Sequence, residues 1–485
     1  MERTEIDGVP VRWKQGPAPL SATLLFGCGA RDETFRTIGV THLIEHLVMS
    51  TLPRLHHEHN ASVDLHVTEF TATGRPEQIV AFLAAVCDGL RALPLDRLEK
   101  EAGVLAAEGG HCTDPTTAAL LTQRLGVQGA GLAPWTGPGY DRLTPEQIRE
   151  YAARWFVAGN AVLLLTGPPP EGLRLPLPAG PRPDHLAPTP VATAEPIWCE
   201  HLVPSVGVSL VGDDDAAMAL GCQVLSQRLE QIARRTHGLS YEVGGDVVLL
   251  GNGQQLVTVT VDAREGQEPQ VAALLWEELN RLATEGPTAA ELAEECAAAR
   301  EMIEDPRAVE AYLHRSGFRE LLGLPQITPE QRLADFLAVT PEDVRVRFQA
   351  ALPSAHLVVP CGVTLSLPGL TEGGCPRLPE QPEGRVFHPP MLAKVLAREA
   401  RGLRLILTDD GVALRDPDGD VHLVRFDEVV GVEEDGAART VFGRNGCHVL
   451  VDPDMFRGAE RAVRAVDAAV PASLRYRRSE LVGLD

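Results

Sequence analysis

The stretch GVTHLIEHLVMS, residues 39–50, sets two histidines and a glutamate in the order H-x-x-E-H: His42, Glu45 and His46. On a helix, positions i, i+3 and i+4 share a face, so both imidazoles reach one metal ion and Glu45 stands beside them. Two imidazoles alone hold zinc poorly. A hydrolytic zinc needs a third protein ligand and one open position for water. The alternative is an ordinary surface helix whose polar residues are solvated.

A third ligand is to be sought downstream. The segment LEKEAGVLAAEGG, residues 98–110, carries Glu101 and Glu108. Seven residues apart, they share one face over two helical turns. The residues between them are apolar or small, and a partly buried carboxylate there requires a partner. A metal would supply one; a pair of solvated helix-face carboxylates is the other reading.

Together these segments resemble the pitrilysin/insulinase family of zinc peptidases, the inverzincins, and within it the two-domain, processing-peptidase-like members. Gly39 precedes H-x-x-E-H, Asn60-Ala61 opens a strand, and Glu101 and Glu108 have the E-x6-E spacing. The resemblance implies that His42, His46 and Glu108 hold one Zn2+ per chain. It makes Glu45 the general base and Glu101 an auxiliary carboxylate. The strand at Asn60 and Ala61 would pair with an extended peptide substrate by β-addition. Two departures stand out: the interval from His46 to Glu108 is short, and LHHEHN replaces the glycine pair the family has before N-A. His56, His57 and His59 there read as loop histidines, not ligands.

The resemblance extends to RRTHGLSYEV, residues 234–243, where Arg234 and Tyr241 match an R-x-x-x-G-L-x-Y signature. The family uses that pair from a second module to bind the substrate backbone. A helix ending on Gly238 and leading into a strand is the local reading. Both motifs occur in one chain, so a homodimer is expected in which Arg234 and Tyr241 of one chain complete the site of the other. A heterodimer with a related subunit is the variant of that expectation. The implied activity is a zinc metalloendopeptidase cutting peptides or unfolded segments in a chamber, such as a ribosomally made precursor with its leader. The alternative is a non-catalytic scaffold or partner subunit of the same family.

Composition bounds the rest. The chain has 485 residues, with 67 acidic against 44 Lys+Arg and a net charge of −23. Such a chain repels nucleic acid and anionic membranes, and basic or neutral peptides suit it better. No apolar run approaches the roughly 20 residues of a membrane span, and the N-terminus MERTEIDGVPVRW lacks a signal-peptide pattern, so a cytoplasmic location is expected. Nine scattered cysteines without C-x-x-C argue against a disulfide framework or a thiolate zinc site.

Two Pro-rich stretches, residues 167–196 and 367–390, read as linkers after a strand. The pieces before and after the first share a plan of strand, helix, strands, amphipathic helices, a TPE-type helix and a last strand. The third piece alternates short strands with D-G and N-G turns and ends in a helix. The DPDGD segment, residues 416–420, reads as a hairpin turn and not a calcium loop. The expected fold class is α+β. Two homologous α/β domains (1–185 and 190–375), antiparallel sheets packed with helices, form half of a clamshell chamber. A small β-rich, pleckstrin-homology-like domain (386–485) follows.

Overall fold

The computed structural model describes residues 1–109, 113–186, 190, 195–251, 253–374, 377–391 and 399–479. The first unit runs β1 (Glu2–Ile6), β2 (Val9–Trp13), β3 (Leu20–Phe26), α1 (Val40–Met49), β4 (Glu58–Val63), β5 (Thr68–Gly74), α2 (Pro76–Arg91), α3 (Leu98–Glu108), α4 (Pro115–Leu125), α5 (Pro145–Trp155) and β6 (Ala161–Leu165). Its sheet order is β1-β2-β6-β3-β5-β4, with β2 and β6 parallel and the other pairs antiparallel.

The second unit runs β7 (Ile197–His201), β8 (Ser205–Asp213), α6 (Ala216–Leu229), β9 (Val243–Gly244), β10 (Val247–Gly251), β11 (Gln254–Asp262), α7 (Glu268–Thr284), α8 (Ala289–Glu304), α9 (Ala308–Leu321), α10 (Pro329–Ala338), α11 (Pro341–Ala351), β12 (His356–Pro360) and β13 (Thr371–Glu372). Its sheet order is β10-β11-β8-β12-β7-β13. Without β1 and β13 the two orders superimpose strand for strand, and β7–β12 repeats the parallel pairing of β2–β6. The internal duplication is therefore a duplication of topology. Matching caps close it: Thr144 accepts the Gln147 N–H before α5, and Thr340 accepts the Asp343 N–H before α11.

Each unit lends a helix to the other. Strand β6 is buried along its whole length because both faces of its sheet are covered. Leu163 and Leu165 enter the core under α1, α2 and α5, while Val162 and Leu164 pack on Val309, Leu313 and Leu321 of α9 from the second unit. A Cβ at Gly317 of α9 would stand 3.0 Å from Leu164, so the missing side chain sets this close approach. In return α4 crosses the second sheet: Leu120 packs on Cys199 and Val358, and Gly207 of β8 makes room for Thr116.

The Pro-rich stretches differ from free linkers. Leu173 and Leu175 are core residues, the Leu175 N–H bonds Asp7, and the Arg182 guanidinium donates to the Glu320 carbonyl. The second stretch contributes β13 and the strand Arg385–Phe387. At the described residues of these stretches, proline enrichment marks irregular backbone with polar groups tied down.

The third unit holds two four-stranded sheets. One contains Arg385–Phe387, Arg404–Leu407, Gly411–Arg415 and Val421–Arg425, the other Val429–Asp435, Ala438–Gly443, His448–Val451 and Arg475–Tyr476. The helix Glu460–Ala469 lays Ala462 and Val466 into their common core. Turns fall at Asp410-Gly411, Asp435-Gly436 and Asn445-Gly446, and Asp416 bonds the N–H groups of Gly419 and Asp420 as a turn residue. This unit docks on the first through Phe442 and Tyr476 against Phe35, with Trp135 beside them. Among the described residues no disulfide forms, and no single helix is long and apolar enough to cross a membrane.

Candidate metal centre

Helix α1 presents its apolar face, Val40, Leu43, Ile44, Leu47 and Val48, to the first core. The polar face left over carries His42, Glu45 and His46. Gly39 starts the helix at φ +85°, a left-handed conformation that suits glycine, with the Tyr140 ring where a Cβ would be. It offers no side chain to cap the free N–H groups. Glu33 does so instead, its two oxygens accepting from Gly39 (2.7 Å) and Thr41 (3.0 Å). Burial is the main cause that raises the Glu33 carboxyl to about 7. Reading caps from neighbouring positions misses Glu33, which lies six residues upstream. The only hint was an acidic residue just before a helix without an N-cap side chain.

Helix α3 supplies the carboxylates. It ends on Glu108, followed by Gly109 at φ +61°, and faces buried Ala102 and Leu105 toward the core. The Arg97 guanidinium, just before α3, donates to the Ser50 carbonyl at the end of α1 and ties the two helices together.

The resulting geometry is compact. One ligand atom each from His42, His46 and Glu108 lie within 4.8 Å of one another. His46 Nε2 stands 3.4 Å from Glu108 Oε2. Two ligands about 2.0–2.1 Å from a tetrahedral zinc stand about 3.3–3.4 Å apart, so this pair is already at coordinating separation. Glu45 Oε2 lies 3.6 Å from His42 Nε2 and 3.8 Å from His46 Nε2. Glu101 Oε2 faces the other nitrogen of His46, Nδ1, at 3.8 Å, and its Oε1 meets Lys100 at 3.2 Å. That is where a carboxylate would orient a coordinating imidazole.

The electrostatics fit a cation between these groups. Glu45 and Glu101 are buried, at 5% and 6% exposure. Burial, with Glu108 second, raises the Glu45 carboxyl to about 8. Burial, with the His46 ring second, lowers the His42 pKa, which favours the neutral, ligating imidazole. Two nitrogens and one oxygen with room for a fourth partner are a donor set suited to a hydrolytic zinc.

A cleft of 390 Å3 opens over this cluster, and Asn60 and Ala61 of β4 line it with His42, Glu45, His46 and Glu108. Strand β4 begins at Glu58 and is the edge of its sheet. Arg234 and Tyr241 do not line this cleft. They pair with each other, guanidinium 4.9 Å from the ring centroid, and both are exposed. Arg234 sits in a π-helical continuation of α6, Glu230–Thr236, a rare conformation that sequence periodicity did not reveal. Gly238, at φ +62°, ends that segment by bonding the Arg234 carbonyl. The Asp262 carboxylate then gathers the N–H groups of Tyr241 and Glu242.

Comparison with known proteins places the fold. Residues 205–298 match the sequence model described as Peptidase M16 inactive domain. No curated protein matches the chain. Among solved structures, the peptidase M16 inactive domain from Pseudomonas fluorescens is similar at 16% identity and a TM-score of 0.59, covering 77% of this chain and 98% of its own. A chain of complex III2 from Candida albicans aligns at 15% identity and a TM-score of 0.57, covering 73% of this chain and 94% of its own. The periplasmic protease PqqL from Escherichia coli aligns at 16% identity and a TM-score of 0.57, covering 87% of this chain, which spans 55% of PqqL. The sequence match lies wholly in the second unit, where α6 occupies the place of α1 and carries no histidine or carboxylate. The His42–Glu108 cluster belongs to the other half. Residues 205–298 are thus similar to a Peptidase M16 inactive domain, and the chain shares the α/β fold of that solved M16 structure.

Proposed function

We propose that the chain is a zinc-dependent endopeptidase acting on peptides or unfolded segments, with His42, His46 and Glu108 as the metal ligands. The observation that carries this reading is the convergence of those three side chains within 4.8 Å beside buried Glu45. Zinc held there would supply Lewis acidity toward a carbonyl and toward water. The Glu45 carboxylate takes the proton of the attacking water and returns it to the leaving amine. Glu101 holds the His46 ring in register. The edge strand β4 offers Asn60 and Ala61 as the backbone on which an extended substrate would pair.

Arg234 and Tyr241 stand outside the cleft of their own chain, which fits a homodimer in which each chain completes the other's site; a related subunit would serve equally in a heterodimer. The acidic composition suits basic peptides as substrates, and a ribosomally made precursor with its leader, processed in the cytoplasm, is the substrate proposed. The two sheets and terminal helix of the last unit are compatible with a pleckstrin-homology-like fold.

A second reading is a non-catalytic scaffold or partner subunit. The match of residues 205–298 to an inactive domain favours it for that half. Metal analysis separates the two. The enzyme reading expects about one zinc per chain and cleavage of an unfolded peptide that stops with a chelator and returns with Zn2+. Zinc-free protein, or loaded protein that cuts nothing, supports the scaffold.

A further inference from the structure

The second unit encloses a cavity of 560 Å3 away from the metal cluster, between α6, α8, α9 and α10 and the strands β9–β11. Its volume lies in the range of about 300–1,000 Å3 in which proteins bury small ligands. Val257, Val259, Ile303, Val309, Leu333 and Phe336 make its walls apolar. At its mouth Val247 and Met302 remain 48% and 56% exposed.

Its charges are unevenly satisfied. Asp305 is held by Arg307 in a two-pronged ion pair, and Asp246 accepts from the Thr113 hydroxyl. Burial and Glu294 raise the pKa of Glu295, favouring its neutral form. Arg315 and Arg332 differ. Both line the cavity, and among the described residues neither guanidinium makes a hydrogen bond or an ion pair. Arg332 is half-buried with its guanidinium 4.8 Å from the Phe336 ring, and Arg315, on α9, is exposed. Asp214 and Asp335 act on the Arg332 charge from a distance, but among the described residues no carboxylate pairs directly with either of these two neighbouring guanidiniums. Lys14, over the Tyr312 ring at 5.3 Å, adds a third cation to the same wall.

We propose that this cavity binds a small amphipathic carboxylate, a medium-chain fatty acid in chemical class, with its chain among the apolar walls and its head on Arg315 and Arg332. Guanidinium suits a carboxylate because it donates in a planar fork, and the neighbouring apolar surface strengthens that pairing. The site is separate from the metal cluster and stands whether or not the chain cleaves peptides.

The test is calorimetric titration of the full chain with octanoate, decanoate and dodecanoate below their micelle concentrations. Saturable binding of one molecule per chain is expected, tightening roughly fourfold per added methylene until the cavity fills. The Arg315→Gln/Arg332→Gln double variant should bind dodecanoate at least tenfold more weakly and dodecanol as the wild type does. Ala299→Trp, which fills the cavity, should abolish both while leaving the far-ultraviolet spectrum unchanged. No saturable binding, equal dodecanoate affinity in the arginine variant, or equally tight dodecyltrimethylammonium would overturn the proposal.

Discussion

Replacing Glu33 by glutamine should change stability in a pH-dependent way. The Glu33 carboxylate is 8% exposed and accepts N–H bonds from Gly39 and Thr41 at the start of α1. Its folded pKa is about 7 against an ordinary 4.5, because burial outweighs the two donors. A carboxyl with a raised folded pKa binds its proton more tightly in the native state. Its contribution is complete below about pH 4.5 and is lost as pH rises through about 7. The difference between the two values corresponds to roughly 3 kcal/mol. Glutamine has no charge to bury, keeps one acceptor oxygen and turns an NH2 toward the other backbone N–H. One buried N–H without a partner costs about 1–3 kcal/mol. Near pH 5 the variant should therefore be less stable by that amount. Near pH 8.5 relief of the buried charge offsets the loss, and the variant should equal or exceed the wild type. Urea midpoints followed by far-ultraviolet circular dichroism at both pH values, on metal-free protein, measure the swing. A wild-type-minus-variant difference that is the same at both refutes the raised pKa of Glu33, and no loss of stability near pH 5 refutes its capping role.

Other outcomes follow from the same packing. Arg228 is buried between Glu278 at 3.3 Å and Glu291 at 2.6 Å, so Arg228→Met should destabilise by about 1–3 kcal/mol in urea unfolding, by leaving Glu278 with Arg281 alone at 3.1 Å. Phe442→Ala should weaken the docking of the third unit by about 3–5 kcal/mol, since its ring lies 5.1 Å from Phe35 and 5.9 Å from Trp135. Limited proteolysis should then release a fragment that the wild type retains. If sites are completed in trans, Arg234→Ala and Glu108→Gln chains, each inactive alone, should recover about a quarter of wild-type peptidase activity when mixed equally, because half the C2 dimers then hold one intact site.

Local chemistry made much of the fold legible. Thr144, Thr288 and Thr340 announce helix starts, and the D-G and N-G pairs of the third unit announce turns, because caps and turns depend on neighbours in sequence. Each motif of the metal cluster is likewise local, and the E-x6-E spacing of Glu101 and Glu108 selects one helix face. The exchange of α4 and α9 between units was not legible. It rests on Leu120 meeting Val358 and Leu313 meeting Leu164, contacts between residues far apart in the chain. The segment SVDLHVTEFTATG reads as strand throughout, yet it folds as a hairpin because Asp64 accepts the N–H groups of His66 and Val67 and turns the chain. Arg315 and Arg332 were also invisible, and Glu33 nearly so, since little in the local sequence distinguishes a capping glutamate or a cavity-lining arginine from a solvated one.

The measurement closest to the central claim is Glu45→Gln, read by metal content and peptide cleavage together. Glutamine keeps the shape of the side chain and the three ligands but cannot take a proton. The variant should hold about one zinc per chain and lose cleavage by about 10²–10⁴-fold. Undiminished cleavage by the zinc-loaded variant, or wild-type protein that binds no zinc, would contradict the assignment of this helix as a catalytic metal site.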